Sequence, residues 1–364
     1  MVLNEAVGLK GKIRFNNGSC HLRERRLIKS SKAESGRAGV DYKKIIAPYS
    51  ADLARVEEAI RGNFHSDVAL IPDISSYLMG SGGKRIRPSL LIIASRLCGY
   101  SGENLHIDFS VVVEYVHAAT LLHDDVVDGS EMRRGAQSAN ARFGNQASVL
   151  VGDFLFAKSL ELLAGGGSLR IVETVARATK SLAEGEVLQL VNTSDTAIAE
   201  GIYLDTVYRK TGALIQACLE IGAILGGVDL EAERKLAIYG KNVGMAFQLM
   251  DDALDYTAVE EKWGKPVGAD LSEGKVTLPL IRALAAADEE EKRFLESCVE
   301  KASGQPADFA AALAIMEKYG AIEGTIESAR DYVEKAKESL AGFAPSTHLD
   351  ALVSIADFVI ERDV

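Results

Sequence analysis

The chain predicts an all-α fold, a single-domain helical bundle, and three observations carry that prediction. Ala, Leu, Glu and Val dominate its 364 residues while Pro is held to seven, a balance that favours helices over sheets. Apolar residues recur at helical spacing in segment after segment, and no strand-like alternation persists anywhere. The breaks fall at turn-forming clusters, Gly165-Gly166-Gly167, Asn192 to Asp195 and Gly226-Gly227.

Residues 1–40 form a basic extension rich in Gly, Ser and Asn with little apolar periodicity, and are expected to be disordered. Residues 1–44 hold 11 Lys/Arg against 4 Asp/Glu, while the remainder holds 30 against 48, giving a net charge of -11. The acidic body argues against a nucleic-acid partner. The basic extension can touch anionic lipid, or it can be a start-site extension without a role. No apolar run reads as a membrane span or opens the chain as a signal peptide, so the chain is expected not to be an integral membrane protein. Cys20, Cys98, Cys218 and Cys298 lie far apart without metal-ligand spacing, as for thiols in a reducing cytoplasm.

Residues 41–364 are expected to form one domain. A first helix runs from Asp41 through Ile60, with Ile45, Leu53, Val56 and Ile60 apolar, and a second from Val68 to Met79. A glycine-rich loop then holds Gly82-Gly83-Lys84-Arg85-Ile86-Arg87, and Pro88 suits the first turn of a helix over Ser89 to Cys98. Ile107 to Asp128 is a long, mostly apolar helix interrupted by Glu114 and His117. Further helices are expected over Gln146–Leu163, Ile171–Leu190, Asp195–Tyr208, Ala213–Leu225 and Glu231–Tyr256. A loop spans Trp263 to Lys275, and four or five more helices lie between Leu278 and Ile360.

The stretch from His117 to Gly135 organises the chemistry. Asp124 and Asp128 stand four apart on one helical face, with Asp125 on the adjoining edge. Like charges crowded at the end of a buried helix are costly, and a hard divalent cation with oxygen ligands resolves the cost. Asp251-Asp252-Ala-Leu-Asp255 repeats the spacing 127 residues later, again closing an apolar helical run. One such triad alone could be a solvated acidic helix end; two facing each other could hold Mg2+ with a diphosphate bridging. Arg133-Arg134 suits bidentate diphosphate contacts. The Lys84/Arg87 loop offers a second cationic site, although a Gly-Gly-Lys loop by itself reads equally as a solvated turn. His117 shares the face of Asp124, where a satisfied core histidine is the plainer alternative. Lys210 and Thr211 sit between two helical patterns, Gln248 lies one turn before Asp251, and Lys265 and Lys275 follow the second triad. His123 is given no role.

Together these residues resemble the trans-isoprenyl diphosphate synthase, or polyprenyl synthetase, family over about residues 41 to 360. The resemblance rests on Gly82-Gly83-Lys84-x-x-Arg87, His117, both aspartate triads, Arg133-Arg134-Gly135, Lys210-Thr211, Phe247-Gln248, Lys265 and Lys275. It implies an isoprenoid synthase-like fold around a central substrate cavity, a Mg2+ requirement and a homodimer. It implies an allylic diphosphate held through Mg2+ by Asp124, Asp128 and Asp251 with help from Arg133, Lys210, Lys265 and Lys275. Isopentenyl diphosphate would sit on Lys84, Arg87, His117 and Arg134, and Thr211 and Gln248 would place dipoles near an allylic cation. The carboxyl end, Glu361 to Val364, lacks the basic tail of some short-chain members. A terpene cyclase would not be expected to carry the Lys84/Arg87 site or a second triad, and a non-catalytic synthase subunit would be expected to have lost a triad.

Ala119 and Thr120, five and four residues before Asp124, are small where short-chain members tend to place aromatic rings. A long product near octaprenyl, as for quinone side chains, is therefore expected, with a geranylgeranyl or farnesyl product as the alternative if Phe154 or Phe156 closes the cavity. Because residues 1–40 lack an apolar pattern for docking, their deletion should leave turnover and dimerisation nearly unchanged. A steady-state assay and gel filtration of the truncated chain check this, and a large loss of activity or a shift to monomer would refute it.

Overall fold

A computed structural model describes residues 41–80, 83–257, 268–301 and 305–361. The expectations for residues 1–40, Gly82 and Lys265 lie outside the described residues. Residues 39–364 form one compact unit.

The described elements are helical apart from one small hairpin. The helix expected from Asp41 is split. Asp41 caps α1 (Tyr42–Ile46), accepting from Lys43 N, and Pro48 then opens a 3-10 turn before α2 (Ser50–Gly62). α3 (Leu70–Gly80) and α4 (Ile86–Leu97) flank the glycine-rich loop, with Pro88 in the first turn of α4 as expected. α5 (Leu105–Val127) is the long apolar helix. β1 (Met132–Arg133) and β2 (Ala136–Gln137) then pair antiparallel, a hairpin too short to show as sequence alternation. The short α6 (Ala139–Phe143), which helical spacing also missed, is capped by Ser138.

α7 (Asn145–Gly165) and α8 (Leu169–Val191) follow the expected pattern. α9 (Glu200–Val207) begins later than expected, and in place of a break it runs through a π-helical turn, Tyr208–Gly212, into α10 (Ala213–Gly226). α11 (Leu230–Thr257) carries the second triad, and a single turn, α12 (Ala269–Ser272), lies in the expected loop. Five helices complete the bundle: α13 (Leu278–Ala286), α14 (Glu289–Glu300), α15 (Pro306–Lys318), α16 (Ala321–Ser339) and α17 (Thr347–Glu361).

α5 and α11 are the load carriers of the site, and their surroundings explain why both are apolar. α5 packs against α7, α4 and α2, and α11 against α10 and α16. One expectation is corrected here. At 23 residues α5 is long and apolar enough to cross a membrane by length and composition, with 72% of its apolar stretch buried in the bundle. Neighbouring helices, not lipid, cover Phe109, Val112, Tyr115, Ala119 and Leu122. Burying side chains of this size contributes about 1.5–3 kcal/mol each.

α4 and α10 cross almost in backbone contact. A Cβ on Gly222 would meet Ala94 Cβ at 2.5 Å, Ser95 N at 2.8 Å and Leu91 O at 2.9 Å. The contacting atoms belong to buried, rigid helix, so Gly222→Ala should cost about 1–3 kcal/mol by overpacking. Chemical denaturation checks this; an unchanged midpoint would show that the crossing yields.

Candidate active site

The first triad is divided between two tasks. Asp125 is buried and is gripped by Arg133, whose Nε lies 3.0 and 2.7 Å from the two carboxylate oxygens and whose Nη2 lies 2.6 Å from Oδ1. Asp124 and Asp128 keep accessible surface. Burial, reinforced by Glu186 and Asp128 and opposed by Lys210 and Arg133, pushes the Asp124 carboxyl up to about 7. Lys275 Nζ lies 3.2 Å from Asp128 Oδ2 and 2.7 Å from Glu273 Oε2.

The hairpin separates the two arginines. Arg134 and Gly135 take φ of 52° and 77°, so both central residues are left-handed, the geometry of a type I′ turn. Arg133 points in to Asp125, whereas Arg134 crosses to the glycine-rich loop, where a Cβ on Gly83 would stand 3.3 Å from its Nη1. The sequence placed Arg133 on the allylic diphosphate. The structure shows it on both oxygens of Asp125, a contact that also anchors the hairpin.

Around His117 the loop and hairpin gather positive charge. Arg85, itself left-handed at φ 47°, pairs with Glu57, with Glu114 at 3.0 Å and with the Met79 carbonyl at 3.1 Å. Arg87 Nε is buried without a hydrogen-bond partner among the described residues, and burial lowers the Arg87 pKa. Burial first, then Arg87, Arg134, Arg133 and Arg85, holds the His117 imidazole well below its ordinary range, hence neutral. Glu114 is shared between Arg85 and Arg87, so guanidinium outweighs carboxylate here. A buried donor without a partner amid surplus cations suits an oxyanion.

The second triad repeats the division of labour. Asp252 is buried, accepting from the Tyr203 hydroxyl and from Gln248 Nε2 at 3.0 Å, and burial pushes it up to about 7. Gln248 Oε1 in turn accepts from Thr211 Oγ1 at 2.9 Å, which fixes both side chains. Asp255 is also buried and accepts from Asp270 N at 3.1 Å. Asp251 alone of this triad keeps accessible surface. Lys210, on the π-helical turn, reaches Glu186 at 2.7 Å and Gln189 at 3.0 Å. The Asp270 carbonyl accepts from Lys275 N at 2.8 Å, so a hydrogen-bonded path runs from Asp255 through Asp270 and Lys275 to Asp128. The two triads are therefore linked through the segment that carries Asp270 and Lys275.

No group of three or more His, Cys, Asp or Glu among the described residues converges on a single metal position. Asp124, Asp128 and Asp251 still fit Mg2+, because that ion takes one or two carboxylates and completes its shell with water and phosphate oxygens.

The polyprenyl synthetase family profile matches residues 68–316. The chain belongs to this family. It is 41% identical to the octaprenyl diphosphate synthase of Escherichia coli (strain K12) over 324 residues, 89% of this chain and 100% of that one. Its structure is similar to a polyprenyl synthase from Caulobacter crescentus CB15 complexed with calcium and isoprenyl diphosphate. The TM-score is 0.85 at 41% identity, with 90% of this chain and 99% of that one covered. A decaprenyl diphosphate synthase from Rhodobacter capsulatus gives a TM-score of 0.84 at 41% identity, covering 88% of this chain and 99% of that one.

For this polyprenyl synthetase the structure brings together Arg87, His117 and Arg134 on one side, and Asp124, Asp128, Lys210 and Lys275 on the other, with Lys84 three residues before Arg87 and over the Phe358 ring. Sequence reasoning missed the residues that hold these in place: Glu57 and Glu114 on Arg85, Glu186 and Gln189 on Lys210, and Tyr203 on Asp252. Glu186 and Gln189 stand three apart on one face of α8, which is a signal, but an ordinary solvated helix shows the same spacing.

The two tasks in the first triad separate by stability. Asp125→Ala should cost about 1.5–3 kcal/mol, the range for charge-assisted hydrogen bonds, because Arg133 can only partly turn to water. Asp128→Ala should leave the Tm nearly unchanged while lowering turnover. Thermal melts of both variants beside activity assays test this, and equal destabilisation by the two would show that the triad is not divided.

Proposed function

We propose that the chain is a Mg2+-dependent trans-polyprenyl diphosphate synthase that adds isopentenyl diphosphate units to an allylic diphosphate. The carrying observation is the pairing of two carboxylate triads, linked through Asp270 and Lys275, with a separate cationic site around His117. Two anionic substrates need two such sites.

Asp124, Asp128 and Asp251 would hold Mg2+, which when bound screens the allylic diphosphate and stabilises the charge it gains on leaving. Lys210 and Lys275 lie beside those carboxylates and place two cations on the same leaving group. As the C1–O bond breaks, the oxygens of Thr211 and Gln248, locked by their mutual hydrogen bond, present negative dipole to the allylic cation. Lys84, Arg87 and Arg134 bind the second diphosphate, and neutral His117 donates to it without adding to the cationic repulsion. C4 of isopentenyl diphosphate bonds to C1 of the cation, and the proton lost from C2 goes to the released diphosphate. We assign Lys265 to the allylic diphosphate on the family pattern alone.

A long product is supported at α5. Thr120 is half-buried on the face of Asp124, and its hydroxyl donates to the His117 carbonyl at 2.8 Å. Ala119 and Val116 are fully buried beside it, which makes Thr120 the position with surface to offer. Exposed Val149, Leu150 and Leu160 on α7 and Val187, Leu190 and Val191 on α8 support a homodimer. The buried free thiols of Cys98, Cys218 and Cys298 support a cytoplasmic setting, with quinone side chains as the destination and membrane-surface contact at product release.

The test is an assay of the full chain with farnesyl and isopentenyl diphosphates. Product near octaprenyl length should form with Mg2+ and vanish with a chelator, and Thr120→Phe should shorten it while turnover survives. A wild-type product stopping at geranylgeranyl length, or an unchanged product from the variant, would overturn the length assignment.

A further inference from the structure

Lys84 is held by the two ends of the folded unit. Its Nζ lies 4.7 Å from the centroid of the Phe358 ring, on α17. Phe358 is itself clamped, 7% exposed and in ring contact with Tyr42 of α1 at 5.2 Å between centroids. Tyr42 reaches further: its hydroxyl donates to Ser89 Oγ at 3.0 Å, and Ser89 Oγ donates to the Arg85 carbonyl at 2.9 Å. One buried tyrosine thus touches the aromatic seat of Lys84 and, through Ser89, is linked to Arg85, the left-handed residue between Lys84 and Arg87.

Lys84 adds an aromatic seat to the cations of the site. Lys210, Lys275 and Arg133 rest on carboxylates. An anion approaching them must compete with a full negative charge. The face of Phe358 attracts the Lys84 ammonium through its quadrupole without neutralising it. It restrains a long, flexible side chain and so lowers the entropy lost when that side chain meets an anion.

We infer that Phe358 and Tyr42 are positioning residues for the isopentenyl diphosphate site: they hold Lys84 and the Arg85 turn in the geometry that receives the second diphosphate. This rests on the reading of Lys84 as a contact to that substrate. It gives the carboxyl-terminal helix α17 a part in the site.

Steady-state kinetics of the full chain test it. Phe358→Leu should raise KM for isopentenyl diphosphate three- to tenfold, with kcat and the allylic KM within twofold of wild type, and Phe358→Trp should restore the wild-type value. Tyr42→Phe keeps the ring and loses the hydroxyl, and should raise the same KM. In a Lys84→Ala background, Phe358→Leu should add nothing, since the seat then has no occupant. Equal effects on both substrates, an effect on kcat alone, no effect, or the same factor in the Lys84→Ala background would each overturn the inference. Should the wild-type chain fail to consume isopentenyl diphosphate, the functional reading falls. The same cycle, measured by calorimetric binding of inorganic diphosphate, then decides the seat separately.

Discussion

The structure depends on one electrostatic constraint: carboxylates are gathered where the chain cannot solvate them. Asp124 meets Glu186 and Asp128, and Asp252 meets Asp251 and Asp255, each group pushed toward its neutral form chiefly by burial. Such an arrangement is costly by itself and is usually found where function needs it. The surrounding architecture distributes the cost. Each triad surrenders one or two members to the protein's own donors and keeps the rest toward the cavity.

That division makes the two halves of the site alike in logic and different in parts. On α5, an arginine from a hairpin grips Asp125. On α11, a tyrosine from α9 and a glutamine one turn earlier on α11 itself hold Asp252, and a backbone amide holds Asp255. Cations are likewise sorted by partner. Lys210 and Lys275 near the triads sit on carboxylates, while in and after the glycine-rich loop Arg85 sits on Glu57 and Glu114, Arg87 Nε has no hydrogen-bond partner among the described residues and Lys84 lies over an aromatic ring. The first set suits a site that also takes metal, and the second suits a bare anion.

The repeated Asp-Asp-x-x-Asp spacing, the long apolar helices beneath it and the two cationic clusters were legible because each depends on residues close in sequence. Helical periodicity fixes which of Asp124, Asp125 and Asp128 share a face. It does not say which neighbour arrives on the other edge. Arg133 illustrates this: eight residues from Asp125, it could equally have faced the cavity, and only the left-handed Arg134-Gly135 turn sends it back. The π-helical turn at Tyr208–Gly212 was also hidden, since it replaces a break with a continuous helix and depends on how α8 and α11 pack around it.

The sequence by itself determined the fold class, the family and the inventory of charged groups, because helix formation and motif spacing are local properties. Tertiary structure decided which of those groups face the cavity and which brace it. It also decided that α5, apolar enough to cross a bilayer, is instead a core helix, and that an aromatic ring from the last helix seats a lysine near the first. These outcomes turn on partners 100 or more residues away, such as Asp128 with Lys275 and Lys84 with Phe358, and no spacing rule within one helix encodes them.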